Sequence, residues 1–204
     1  MREFEYHSES PDNYLYDGAC ILINKFGIRD SDTLLDVERR FTAGRLIELS
    51  ITPIRGLFDF AHLKKIHAYI FQDLFDWAGK PRQAGFLSKS KTVFRRGEYI
   101  DSQAMELFSK LKFEKFSREL DKTQFIERLS YFMGEVNASH PFREGNGRTS
   151  REFFRELSLN AGYDLDWGNA DKGWLLAADI RAFRQHYAPL ITILERTVQT
   201  GDKS

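Results

Sequence analysis

The sequence predicts an all-α domain carrying one short β-hairpin. Three observations lead there. The 204 residues include 18 Phe but only 5 Pro and 14 Gly, so large core-forming side chains are abundant and chain breakers scarce. Apolar residues recur at helical spacing through most of the chain. Between Gly79 and Gly97 that spacing lapses, and apolar residues flank a polar tip instead.

Up to about Gly27 the chain holds turn signals, Ser10-Pro11-Asp12-Asn13 and Asp17-Gly18, then a short apolar segment from Ala19 to Phe26. Asp30-Ser31-Asp32 is placed to cap a helix running to about Leu49, with Leu34, Val37 and Phe41 on one face. Thr52-Pro53 and Arg55-Gly56 interrupt it. Asp59 then caps a second helix, in which Leu63, Ile66 and Ile70 recur at i, i+3 and i+7. Phe86, Leu87, Thr92, Val93 and Phe94 flank the tip Ser88-Lys89-Ser90-Lys91, which reads as the hairpin. Helical spacing returns with Ile100, Ala104, Leu107, Phe108 and Leu111, and again with Phe125, Leu129, Phe132, Met133 and Val136. The latter helix must end near Pro141, which cannot continue the ladder and biases His140 toward an extended conformation. From Arg148, residues Phe153, Phe154 and Leu157 mark another helix. The tail from about Leu175 to Val198 is helical, with Pro189 as a kink or boundary.

No repeat, low-complexity tract or Ser/Gly linker divides the chain, so residues 1–204 are expected to form a single domain. Apolar residues at 42% and charged residues at 29% are those of a soluble globular protein. Thirty Lys and Arg balance thirty Asp and Glu, which excludes a protein that grips nucleic acid by bulk charge. Ala19-Cys20-Ile21-Leu22-Ile23 is among the longest apolar runs and is far short of a membrane span. Met1-Arg2-Glu3-Phe4-Glu5 has no apolar region of a secretory signal. Cys20, alone, can form neither an internal disulfide nor a cysteine zinc site. The expected location is a reducing, cytosolic compartment, with neither membrane nor direct nucleic-acid partner.

The chemistry is concentrated in His140-Pro141-Phe142-Arg143-Glu144-Gly145-Asn146-Gly147-Arg148-Thr149-Ser150-Arg151. Gly145 and Gly147 free the backbone to turn N–H groups inward just before a helix starts, a combination that binds anions. Arg148 and Arg151, three apart on that helix, share a face and can both reach a polyphosphate. Glu144 offers a hard oxygen of the kind Mg²⁺ uses when phosphates complete its shell. His140 is a titratable base with an ordinary pKa of ~6.5. Each residue alone reads as a plain turn or surface group; together they make a phosphoryl- or nucleotidyl-transfer kit. On this reading the neutral overall balance conceals a local positive potential from Arg148, Arg151 and the helix N-terminus. Phe142, with no polar atom, is expected to anchor the loop in the core. His62 and His67 are read as ordinary surface or packing residues rather than metal ligands.

The string His-Pro-Phe-x-Glu-Gly-Asn-Gly-Arg-x-x-Arg resembles the signature of Fic-domain proteins (filamentation induced by cAMP). The resemblance extends to Leu57-Phe58-Asp59, His62-Leu63-Lys64-Lys65-Ile66-His67, Asp76-Trp77-Ala78-Gly79-Lys80, Gly134-Glu135-Val136-Asn137 and Ala161-Gly162-Tyr163. It implies a helical Fic core over about 50–190, a flap over about 85–94 and a catalytic loop over 140–151. It further implies AMP transfer from ATP to a Tyr, Ser or Thr hydroxyl of a target protein. His140 would be the general base and Glu144 the Mg²⁺ ligand. Gly145, Asn146 and Gly147 would line the anion hole, with Asn146 near the α-phosphate. Arg148 would neutralise the β- and γ-phosphates and Arg151 would hold the γ-phosphate. Phe86, Leu87, Ser88, Lys89, Ser90, Lys91, Thr92 and Val93 would form the flap on which a target's backbone registers by strand addition.

Many proteins of this kind are inhibited by a helix bearing Ser/Thr-x-x-x-Glu-Gly/Asn. Here Thr123-x-x-x-Glu127 is followed by Arg128 and Ser102-x-x-x-Glu106 by Leu107, so neither fits. The expectation is a toxin-branch protein restrained by a separate small antitoxin carrying that string. Its expected targets are the ATPase subunits of type II topoisomerases, DNA gyrase or topoisomerase IV. The alternatives are a bacterial effector delivered into a host cell, or transfer of another phosphate-containing group. Gly147, where phosphate-transferring Doc proteins carry Lys, favours AMP. A catalytically silent nucleotide-binding module would not need His140.

Overall fold

A computed structural model describes residues 6–8, 13–83, 87–89, 92–94 and 96–201. Seven α-helices form the described frame: α1 (Ser31–Ile51), α2 (Phe60–Phe71), α3 (Ile100–Phe113), α4 (Lys122–Ser139), α5 (Asn146–Ala161), α6 (Lys172–Ala182) and α7 (Ala188–Thr197). The all-α expectation with a hairpin holds, and the helix starts follow local chemistry. Asp30 accepts from the Thr33 N–H at 2.8 Å and Asp59 from the His62 N–H at 2.8 Å. Asp121 and Gln124 form a reciprocal capping box at the start of α4.

α5 lies centrally, packed on α2 and α4, while α4 also contacts α3, α6 and α7. The phenylalanine excess is concentrated here: Phe71, Phe75, Phe125, Phe132, Phe142, Phe153 and Phe154 are essentially inaccessible. Each such ring contributes on the order of 2–3 kcal/mol through burial. Phe153 meets Phe58, Phe108 and Phe154 with centroids 6.0, 5.6 and 5.2 Å apart and rings near perpendicular, the favoured edge-to-face geometry.

The β-structure is more extensive than expected. The hairpin strands β2 (Leu87–Lys89) and β3 (Thr92–Val93) are joined by β1 (Tyr6–Ser8) in a three-stranded antiparallel sheet of order β1-β2-β3. Tyr6 lies opposite Lys89, and Ser88 opposite Val93. A second pair, β4 (Tyr163–Leu165) with β5 (Val198–Thr200), ties the end of α7 to the end of α5. Both pairings are long-range, and strands of three residues leave no periodic signal to read.

The tail is helical with a boundary beside Pro189, as expected: α6 and α7 are separated at 183–187, and Pro189 stands in the first turn of α7 where its missing N–H costs nothing. Two further expectations are corrected. α5 begins at Asn146, two residues before the expected Arg148. The buried face of α1 is Leu34, Glu38, Thr42 and Leu49, whereas Phe41 is exposed. Leu34 and Val37 face the core as expected, but two polar side chains, Glu38 and Thr42, share that face in place of Phe41. No described helix is long and apolar enough to cross a membrane.

Candidate active site

Pro141 forces α4 to stop, and the chain leaves it sharply. His140 caps the helix in the left-handed region at φ 43°, rather than in the expected extended conformation, with its N–H donating to the Val136 carbonyl at 3.2 Å. A non-glycine residue there costs about 1–2 kcal/mol, so surrounding contacts must hold it. Arg82 supplies them. Its Nε donates to the His140 carbonyl at 2.8 Å and its Nη2 to the Ser139 carbonyl at 3.4 Å. Its own N–H donates to the Pro141 carbonyl at 2.8 Å. A buried cation thus sits where the helix dipole is negative. Burial lowers the guanidinium pKa to about 10, leaving it charged at neutral pH. The buried His140 ring stacks on Phe94, at the end of the hairpin, with centroids 3.7 Å apart and planes 12° from parallel.

The next residues are pinned from below. Phe142 is buried as expected, stacked on the His67 ring at 3.8 Å. His67 Nδ1 accepts from the Gly79 N–H at 2.8 Å, so Nε2 carries the proton and donates to the Glu144 carbonyl at 3.0 Å. Burial drives the imidazole pKa down to about 3, which keeps it neutral. Asn146 closes the loop upon itself: its Oδ1 accepts from the Phe142 N–H at 2.9 Å and its Nδ2 donates to the Phe142 carbonyl at 2.8 Å. The side chain thus staples the loop, and the backbone N–H is the group of Asn146 that remains for an anion.

Gly145 adopts φ 81°, and a Cβ there would lie 2.1 Å from Phe71 Cζ, so no other residue fits. Its N–H donates to Glu144 Oε1 at 2.8 Å. Gly147 lies within α5 and has no left-handed φ; a Cβ there would stand 3.1 Å from Arg151 Nη1. Its requirement is for space beside the arginine. The N–H groups of Asn146, Gly147 and Arg148 belong to the first helical turn and have no carbonyl one turn back.

Arg148 is held on several sides. Nη2 donates to Glu38 and Nη1 to Thr42 Oγ1 at 3.2 Å, both on α1, while Glu144 Oε1 lies 3.7 Å from Nη2. The guanidinium also covers the Phe71 ring, 4.8 Å from its centroid. Burial pushes the Glu38 carboxyl up, with Arg148 opposing and Glu144 adding to the shift. Arg151 is half-buried, and burial lowers its pKa while Asp179 opposes that shift. The Asp179 carboxyl is pushed up to about 6 by burial against the pull of Arg151. The expected concentration of positive charge is thus offset, since Glu38, Glu144 and Asp179 face Arg148 and Arg151.

Leu87, Ser88, Lys89, Thr92 and Val93 lie in the strands β2 and β3, and Phe94, next after Val93, stacks on His140, while Phe86, Ser90 and Lys91 fall outside the described residues. Glu38, His67 and Arg82 were not singled out by sequence as site residues. Of the two readings, surface or packing, His62 and His67 follow packing: both are buried, and His62 Nε2 lies 2.8 Å from the Ile54 carbonyl and 3.1 Å from Glu156 Oε2. Among the described residues no cluster of three or more His, Cys, Asp or Glu could hold a metal. Glu144, about a quarter exposed at the loop, is one carboxylate of the kind a phosphate-bound Mg²⁺ accepts, so the donor set fits that ion only in company with a phosphate ligand.

Comparison with known proteins agrees with this geometry. The model of the Fic/DOC family matches residues 57–157. Protein adenylyltransferase VbhT of Bartonella schoenbuchensis is 40% identical over 183 residues, covering 90% of this chain but 37% of that protein. The probable protein adenylyltransferases Fic of Escherichia coli K12 and Salmonella typhimurium are 37% and 34% identical, with 80% and 96% of their lengths covered. The crystal structure of BepC, a VirB-translocated effector of Bartonella tribocorum with bound AMPPNP, superposes with a TM-score of 0.85 at 27% identity, covering 93% of this chain and 98% of that one. With its signature loop, helical frame and relatives in agreement, this chain belongs to the Fic/DOC family.

Proposed function

We propose that this chain is a protein adenylyltransferase, transferring AMP from ATP to a hydroxyl side chain of a target protein. The observation that carries the reading is the join of α4 to α5: His140 ends one helix, and within six residues a second opens with free N–H groups, Arg148 and Arg151. Relatives named as adenylyltransferases and a neighbour holding an ATP analogue support it. His140 takes the proton of the target hydroxyl, whose oxygen attacks the α-phosphorus in line as the bond to pyrophosphate breaks. The N–H groups of Asn146 and Gly147 meet the charge growing on the α-phosphate. Arg148 and Arg151 hold the departing β- and γ-phosphates. Glu144 would hold Mg²⁺, which would supply charge neutralisation that arginines already facing carboxylates provide incompletely.

β1 occupies one edge of β2, leaving the β3 edge for a target's backbone, on the side that leads to Phe94 and His140. We assign the chain to the toxin branch, in the cytoplasm, restrained by an antitoxin bearing Ser/Thr-x-x-x-Glu-Gly/Asn and acting on DNA gyrase or topoisomerase IV. The absence of that string from these 204 residues supports the assignment. The likeness to translocated Bartonella effectors favours a second reading, modification of a host protein.

Incubation with Mg²⁺, lysate and ATP labelled at either the α- or γ-phosphate tests the reaction. Label on protein from the α-position is expected; transfer of γ-label alone would make the chain a phosphotransferase. His140→Ala is expected to abolish transfer while ATP still binds. Co-purified gyrase or topoisomerase IV subunits serve as the first candidate acceptors, and host lysate as the second.

A further inference from the structure

Arg148 has two carboxylates within reach and satisfies them unequally. Glu38 is bonded directly to Nη2, whereas Glu144 Oε1 stands 3.7 Å from the same nitrogen. Glu38 and Thr42 lie one turn apart on α1 and are both buried, at 7% and 2% exposure. The Thr42 hydroxyl donates to the Glu38 carbonyl at 2.8 Å, so its lone pairs are free to accept from Arg148 Nη1 at 3.2 Å. One face of the guanidinium is covered by Phe71. Two arms and one face of the fork are therefore fixed by elements outside the catalytic loop. The Arg148 side chain remains 22% exposed and Glu144 26%, so both remain accessible from solvent.

Without Glu38 the nearest anionic partner of Arg148 is Glu144, four residues back. A guanidinium paired there would withdraw from the β- and γ-phosphates and occupy the carboxylate assigned to the metal. We propose that Glu38 is a positioning residue: its buried carboxylate holds Arg148 away from Glu144, keeping both groups available to a polyphosphate. The polar side chains on the buried face of α1 thereby acquire a purpose, since an apolar residue at 38 would fill the space and leave the arginine unguided. The inference rests on the adenylyltransferase reading only for the identity of the polyphosphate.

The test is a double-mutant cycle on binding, read by titration calorimetry in EDTA with ATP and AMP as probes. E38Q is expected to lose about tenfold in ATP affinity and to bind AMP as the wild type does, because AMP lacks the phosphates assigned to Arg148. Retained AMP binding also shows that the fold is intact. In the E144Q background, where the competing charge is gone, adding E38Q is expected to cost less than threefold. Equal ATP affinity in wild type and E38Q, parallel loss of ATP and AMP, or a tenfold cost that persists in E144Q would each overturn the positioning role. If E38Q does not fold, E38D, which keeps the charge one methylene short, is expected to lose ATP affinity selectively; unchanged ATP affinity there would equally overturn it. A wild type that binds no ATP would remove the adenylyltransferase reading itself, a separate outcome.

Discussion

The ring of Phe142 lies against the imidazole of His67 at 3.8 Å, and the same imidazole donates to the carbonyl of Glu144 two residues further on. The loop is thus gripped by a face and an edge of one side chain on α2, which in turn is fixed by the Gly79 N–H. Replacing His67 with Phe keeps the stack and removes both hydrogen bonds. Burying an unpaired N–H and an unpaired carbonyl is expected to cost about 2–4 kcal/mol. Urea denaturation checks the stability. AMP transfer is expected to fall through kcat more than through KM for ATP, because Glu144 and Gly145 lose their support while the arginines do not.

Arg82 offers a second test of how His140 is placed. Arg82→Ala strips the cation from the end of α4 and removes its hydrogen bonds to the Ser139 and His140 carbonyls in a buried site. A loss of about 3 kcal/mol is expected by urea denaturation. Arg82→Lys, which offers one nitrogen for two carbonyls, is expected to recover less than half of it. Transfer by Arg82→Lys is expected to be at least tenfold below wild type while ATP affinity holds.

At Gly145 the geometry leaves no room for adjustment. Gly145→Ala meets both a left-handed φ of 81° and a Cβ 2.1 Å from Phe71 Cζ. Pairing it with Phe71→Ala removes the clash but not the backbone cost. The double variant is expected to stay inactive in the transfer assay, while Gly162→Ala, also at left-handed φ but with open space around it, is expected to lose only about 1 kcal/mol by thermal denaturation.

Asp179 supplies a pH signature. Its carboxyl titrates at about 6 in the fold, chiefly because of burial, against an ordinary 3.8. The folded state therefore binds the proton more tightly than the unfolded chain, and stability falls as pH rises from about 3.8 through 6. Asp179→Asn removes this penalty. The variant is expected to melt higher than wild type at pH 7.5, with the difference vanishing toward pH 4. A constant difference across that range would show that Asp179 does not titrate in it.

Helices α2 to α5 were legible because each carries an apolar face at regular spacing and a recognisable start or stop. The left-handed turn at His140 was not, since it depends on Arg82, fifty-eight residues away in sequence. Glu38 was missed for a related reason. Hydrophobic periodicity assigns Phe41 to the core and a glutamate to solvent, and only the arrival of Arg148 from α5 reverses that. The signature string located the site, yet it could not say that Asn146 commits its side chain to Phe142. Nor could it reveal that the arginines face carboxylates. Charge balance is a property of the folded neighbourhood, whereas a linear string displays only the residues that happen to be adjacent.

Phe71 touches two quite different parts of the anion cradle, the backbone at Gly145 with its ring edge and the Arg148 guanidinium with its face. One rigid, flat side chain therefore acts as a gauge between the N–H groups and the cationic fork. A polyphosphate bound by both groups would therefore be gripped against a single shared side chain.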